Sequence, residues 1–155
     1  MIVWLDKALV LAIHDRQVAE HGGSAGVRDD ALLESALARP EHLQAYGDPA
    51  PDLPDLAAAL AYGLARNHPF VDGNKRTAHV AYRTFLVLNG AELIAADEEK
   101  YLQMLALAEG KLTERDFAAW LRERLRFAAP GKAHEPRQPY RVKPSRRQTK
   151  ARITR

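Results

Sequence analysis

Apolar residues recur at helical spacing over most of the first 128 residues, and glycine, proline and helix-capping residues cut that pattern into short segments. This punctuation restricts the fold more than any other feature. It predicts an all-α bundle of about six helices. The first spans residues 5–20, marked by Leu9, Ile13, Val18 and neighbouring apolar residues, and stops at His21-Gly22-Gly23-Ser24. Asp29 can cap a second helix carrying Leu32, Leu33, Ala36 and Leu37, with Pro40 marking its end. Residues 41–53, with Gly47, Pro49 and Pro51, read as an exposed loop. Pro54 suits the first turn of a third helix through Leu56, Leu60 and Leu64. A fourth places Ala78, Ala81, Tyr82 and Phe85 on one face and stops at Asn89-Gly90. Asp97 and Thr113 are expected to cap a fifth helix, with Tyr101, Met104 and Leu105, and a sixth, with Phe117, Trp120 and Leu121. The alternation at residues 91–95 is too short to be read as a sheet.

From Ala129 the pattern is lost. Pro130, Pro136, Pro139 and Pro144 interrupt a polar segment. Residues 130–155 hold nine Lys and Arg against one acid, Glu135, and so carry +8. Residues 1–129 hold 14 basic and 19 acidic residues and carry −5. The high isoelectric point therefore belongs to the tail, and whole-chain charge is no argument for nucleic acid. Such a tail buries too little apolar area to offset an ordering cost of about 1–2 kcal/mol per residue. One domain over residues 1–128, followed by a disordered basic tail over 129–155, is the expected organisation.

The chain has no cysteine, which excludes a disulfide framework, a thiolate metal site and a cysteine nucleophile. No apolar run reaches the roughly 20 residues that cross a bilayer. The first residues lack a basic region followed by a long apolar stretch. A cytoplasmic protein without membrane contact is the expectation.

The chemistry concentrates in Asn67-His68-Pro69-Phe70-Val71-Asp72-Gly73-Asn74-Lys75-Arg76-Thr77, between the third and fourth helices. Pro69 disfavours helix at His68, Gly73 permits a tight turn, and Asn74 can cap the next helix. The free backbone N–H groups of that helix start suit a phosphate. Lys75 and Arg76 add cationic donors beside it. Asp72 can supply one oxygen to Mg²⁺, which takes one or two protein carboxylates and completes its shell with water and phosphate oxygens. His68 can accept a proton near neutrality. Phe70 and Val71 read as apolar anchors for the loop. Taken singly, each residue has an ordinary explanation: a surface histidine, a turn aspartate, a solvated cation pair. Their joint occurrence within His68–Arg76 is what points to phosphate chemistry. The stretch is not a P-loop, because the earlier glycine is missing and Arg76 separates Lys75 from Thr77.

His68-Pro69-Phe70-Val71-Asp72-Gly73-Asn74-Lys75-Arg76 resembles the signature of the Fic/Doc (Fido) superfamily, and Lys75 resembles its Doc, or death-on-curing, toxin branch. His21 through Asp29, the Arg39-Pro40 pair and Phe85 through Gly90 extend the similarity over residues 3–127. The resemblance implies a compact Fido-type helical bundle and an enzyme, a nucleotide-dependent protein kinase or adenylyltransferase. His68 would be the general base on an acceptor hydroxyl and Asp72 the Mg²⁺ ligand. Gly73, Asn74, Lys75 and Arg76 would hold the phosphates of ATP, the group donor. Residues 41–53 would take the place of the acceptor-positioning flap. The adenylylating branch carries glycine at the Lys75 position and a second arginine where this chain has His79. Both differences resemble Doc, which is associated with phosphorylating elongation factor Tu and blocking translation. Gly73 resembles the Fic branch instead, so adenylylation is the alternative. No Ser/Thr-x-x-x-Glu-Gly/Asn self-inhibitory segment is present, and the resemblance implies a separate antitoxin chain as partner.

A reading from a different class makes the tail a nucleic-acid-binding module. Arg137, Arg141, Lys143, Arg146, Arg147, Lys150, Arg152 and Arg155 would neutralise phosphates, and Tyr140 would be available to stack. Its bland counterpart is a solubilising extension.

Overall fold

A computed structural model describes residues 1–128. The expected disorder and nucleic-acid role of residues 129–155 lie outside them. Six helices form: α1 (Lys7–His21), α2 (Asp30–Tyr46), α3 (Leu53–Asn67), α4 (Asn74–Leu88), α5 (Asp97–Ala108) and α6 (Glu114–Arg124). A two-stranded ladder of β1 (Ala91–Leu93) and β2 (Leu125–Phe127) accompanies them. The all-α expectation holds, with that small ladder added.

α3 is the hub, and α2, α4, α5 and α6 all pack on it. Its sequence explains why. Ten of its residues, Leu56, Leu60, Leu64 and a run of alanines among them, are buried, so it is apolar around most of its circumference, as a central helix must be. Gly63 lets α2 approach: a Cβ there would lie 3.0 Å from Ala36 Cα. Asp52 and Asp55 form a reciprocal capping box at its start, with Pro54 in the first turn. On α4, Ala78, Ala81, Tyr82 and Phe85 are buried as expected, and Tyr82 meets Phe117 of α6 edge to face at 5.2 Å.

Several local expectations are corrected. Of the apolar residues that mark α1, Leu9 lies at the surface and Ile13 and Val18 are half-buried, while the buried positions are Val10, His14 and Gln17. α2 does not stop at Pro40 but runs to Tyr46. Pro40 is buried beside Leu33 and Ala36 on the face that meets α3, and that packing outweighs the roughly 3 kcal/mol a proline costs inside a helix. The open link is therefore only residues 47–52, shorter than the loop expected over 41–53. β1 pairs with β2 antiparallel, Ala91 opposite Phe127 and Leu93 opposite Leu125. The alternation at residues 91–95 covers β1, but a strand of three residues is too short to stand out without its distant partner. Asp97 is the first residue of α5 rather than its cap; Ala96 holds that position with no side-chain hydrogen bond. Thr113 does cap α6, accepting from Asp116 N at 3.0 Å. No helix among the described residues is long and apolar enough to cross a membrane.

Candidate active site

α3 ends at Asn67, and His68 leaves it in the left-handed region at φ 49°, ψ 53°. Among the described residues it is the one non-glycine with positive φ. Such a conformation costs of order 1–3 kcal/mol and survives only where neighbours enforce it. Arg28, in the segment between α1 and α2, supplies part of that enforcement. Its Nε donates to the His68 carbonyl at 2.8 Å and its Nη2 to the Asn67 carbonyl at 3.0 Å. These are carbonyls left unpaired at the end of α3, where a cation is also favoured by the helix dipole.

The rest of the loop is laced to the same segment. Arg28 N and Asp29 N both donate to the Pro69 carbonyl, at 2.8 and 3.0 Å, and Val71 N donates to the Gly26 carbonyl at 3.1 Å. Val27 and Phe70 form an antiparallel bridge. Phe70 is 1% exposed and anchors the loop, but Val71 is 53% exposed and does not. Beneath Phe70 lies His14, itself 1% exposed, its ring stacked at 3.9 Å and 7°. His14 Nε2 donates to the Asp72 carbonyl at 2.8 Å.

These contacts fix Asp72. Its Oδ1 accepts from Gly73 N at 2.8 Å and its Oδ2 from Ser24 N at 3.3 Å. Gly23 makes the approach possible: at φ 109°, a Cβ would lie 2.6 Å from Asp72 Oδ2. Gly73, not Asn74, is the N-cap of α4, at φ 75° and with no side-chain cap. Asn74 is the first helical residue, and its amide turns back onto Phe70, accepting from the backbone N at 2.9 Å and donating to the carbonyl at 3.0 Å. The first helical bond to close is Thr77 N to Gly73 O, at 3.0 Å. The N–H groups of Asn74, Lys75 and Arg76 therefore have no partner among the described residues. Nor do the Lys75 and Arg76 side chains form an ion pair there.

His68, Asp72, Gly73, Asn74, Lys75 and Arg76 line one cleft of about 630 Å³. Gln17 and His21 of α1 and Tyr101, Met104 and Leu105 of α5 complete its wall. The cleft thus has a cationic, amide-rich floor and an apolar side. His79 also lines it, with Nε2 3.4 Å from Arg83 Nη1 and a buried, unpartnered Nδ1. Burial, then the charges of Arg83 and Lys100, push its pKa down to about 4, so at neutral pH it adds no charge.

A family model described as Fic/DOC family matches residues 4–86, more than half of the chain. The chain belongs to the Fic/DOC family. It is 56% identical over 75 residues to a protein named Toxin Doc from Mycolicibacterium smegmatis, a match covering 48% of this chain and 57% of that protein. It is 32% identical over 113 residues to the Protein kinase doc of Escherichia phage P1, covering 73% of this chain and 88% of the phage protein. The segment matched by the Fic/DOC model runs from α1 into α4 and so takes in both laced loops. Sequence reasoning brought out the His68–Arg76 half of this arrangement. It missed His14, Ser24 and the structural part of Arg28, although the Gly22-Gly23 pair after α1 was a visible sign of a close approach.

Proposed function

We propose that this Fic/DOC protein is a Doc-type toxin that transfers the γ-phosphoryl group of ATP to a hydroxyl of a target protein. The observation that carries the reading is the convergence in one cleft of His68, Asp72 and an α4 start with no side-chain cap, flanked by two cations that form no ion pair among the described residues. The names of the two relatives agree with it.

In this reading His68 takes the proton of the acceptor hydroxyl, whose oxygen bonds to the γ-phosphorus. The bond from that phosphorus to the β–γ bridging oxygen breaks, and ADP leaves. The N–H groups of Asn74, Lys75 and Arg76 and the two cationic side chains hold the phosphate oxygens as charge shifts among them. Asn74 joins through its backbone and the second hydrogen of its amide, the rest being committed to Phe70. Asp72 is the one carboxylate lining the cleft among the described residues, with lone pairs left after its two backbone contacts. That donor set fits Mg²⁺ shared with phosphate oxygens and not an all-protein metal cage. When bound, the ion would neutralise polyphosphate charge.

Two features favour phosphoryl over AMP transfer. His79, neutral, stands where an adenylylating site places a second arginine, and Lys75 puts bulk and charge at the cradle. Gly73 has a local reason to be glycine in its left-handed φ of 75°, so it is no independent mark of AMP transfer. Elongation factor Tu is the proposed acceptor, a separate antitoxin chain the proposed inhibitor, and the cytoplasm the proposed location. The test is incubation of the chain, free of antitoxin, with elongation factor Tu and ATP labelled at either the γ- or the α-phosphorus. Transfer of the γ label alone is the expected result. Transfer of the α label would replace the reading with adenylylation, and transfer of neither would sink it.

A further inference from the structure

The proposed base is aimed by a backbone conformation that its own side chain does nothing to hold. Among the described residues no hydrogen bond restrains the His68 imidazole. φ and ψ at His68 set the direction of its Cα–Cβ bond, and the residue lines the cleft. That conformation is disfavoured twice over: the residue is not glycine, and it precedes a proline, which pushes its neighbour toward extended geometry. Something outside the turn has to keep it.

Arg28 touches three successive carbonyls. Its side chain takes those of Asn67 and His68, and its own backbone N–H takes that of Pro69. One residue thus brackets the His68–Pro69 peptide. We propose that Arg28 is a positioning residue for the transfer reaction, its guanidinium holding the left-handed turn that presents the His68 imidazole to the cleft. The proposal rests on the reading of His68 as the base. Without the guanidinium, the turn would relax toward the extended geometry that Pro69 favours, and the imidazole would swing away from the acceptor hydroxyl.

The bland counterpart is that Arg28 merely caps α3 and contributes stability. Arg66 provides the control. It sits in the last turn of the same helix, and its Nη1 donates to the Ala108 carbonyl at the end of α5 at 3.0 Å. Removing it costs a comparable bond to a helix end without touching His68.

The experiment compares Arg28→Met, Arg28→Lys and Arg66→Met with the parent chain. It uses purified elongation factor Tu and γ-labelled ATP, with backbone and Cβ chemical shifts of His68 read from isotope-labelled protein. Arg28→Met is expected to lower kcat by about 10²-fold, the scale of a misplacement of about 1 Å, while KM for ATP stays within about twofold. The His68 shifts should leave their left-handed values. Arg28→Lys, able to reach one carbonyl, should recover part of both. Arg66→Met should lower thermal stability to a similar degree with kcat and the His68 shifts unchanged. Unmoved His68 shifts in Arg28→Met overturn the proposal. So does a kcat loss no greater than that of Arg66→Met. If the parent chain transfers no group from ATP, the functional reading fails by itself, and the His68 shifts then decide the clamp alone: moved shifts uphold it, unmoved shifts overturn it.

Discussion

Two histidines line the same cleft in different surroundings. His68 is exposed at the cleft floor. Replacing it with alanine should cost about 10²–10⁴-fold in transfer rate, with circular dichroism and melting temperature close to those of the parent. Activity retained in His68→Ala would remove it from the role of base. His79 is set into the wall, with a folded pKa of about 4 against an ordinary 6.5. The unfolded chain therefore binds the extra proton between those values, so stability is full above about pH 6.5 and declines as pH falls toward 4. The slope should be at most about 1.4 kcal/mol per pH unit. Urea melts from pH 7 to 4 should show this slope reduced in His79→Leu, and an unchanged slope would refute the assignment. At this scale the sequence was most informative. His68, Asp72, Lys75 and Arg76 stand out because their chemistry is carried by residue type. Asn74 was misjudged as a cap because whether an amide faces forward or back depends on where Phe70 lies. His14 was invisible for a similar reason: a histidine among apolar residues reads as core until its carbonyl partner, 58 positions away, is located.

Among the elements, the junction of α2 and α3 is the most tightly specified. A Cβ on Gly63 would sit 3.0 Å from Ala36 Cα and 3.1 Å from its Cβ. Gly63→Ala should be nearly neutral, since strain from that approach offsets a helix-propensity gain of about 1 kcal/mol. Gly63→Val should lower unfolding free energy by about 1–3 kcal/mol, read from the urea midpoint. A valine variant as stable as the parent would show that the helices can part without loss. Helix existence was legible because apolar spacing and caps are local; Asp29 and Thr113 both accept the expected backbone N–H. The overrun of α2 past Pro40 was not, because it is decided by what α3 offers that proline to pack against. The β1–β2 ladder was hidden likewise, each strand being three residues long and meaningless without the other.

For the molecule as a whole, a minor polar latch supplements the core. Arg122 of α6 reaches the capping box of α3, with Nε 2.7 Å from Asp52 Oδ2 and Nη2 2.9 Å from Asp55 Oδ1. The hydrogen bonds from Arg122 are the main cause holding the Asp52 carboxyl at about 2, below its ordinary 3.8. A depressed carboxyl contributes stability that is present above pH 3.8 and lost as pH falls toward 2. Asp52 is about half exposed, so solvent screening keeps the latch below about 1 kcal/mol. Arg122→Ala should therefore shift the melting temperature by only a few degrees at pH 7 and flatten the acid limb below pH 4. A larger loss at neutral pH would mean that the latch acts through packing.

The lacing of the signature loop to the turn after α1 has a consequence for any attempt to dissect this protein. A fragment of residues 30–128 keeps every member of the His68–Arg76 signature, yet it lacks the arginine at His68, the serine amide at Asp72 and the histidine under Phe70. Such a piece should be inert toward ATP on its own. Supplying residues 1–29 as a separate peptide should restore label transfer in proportion to its occupancy. What looks in the sequence like a self-contained motif is one half of a two-part joint, and its partner was encoded before it.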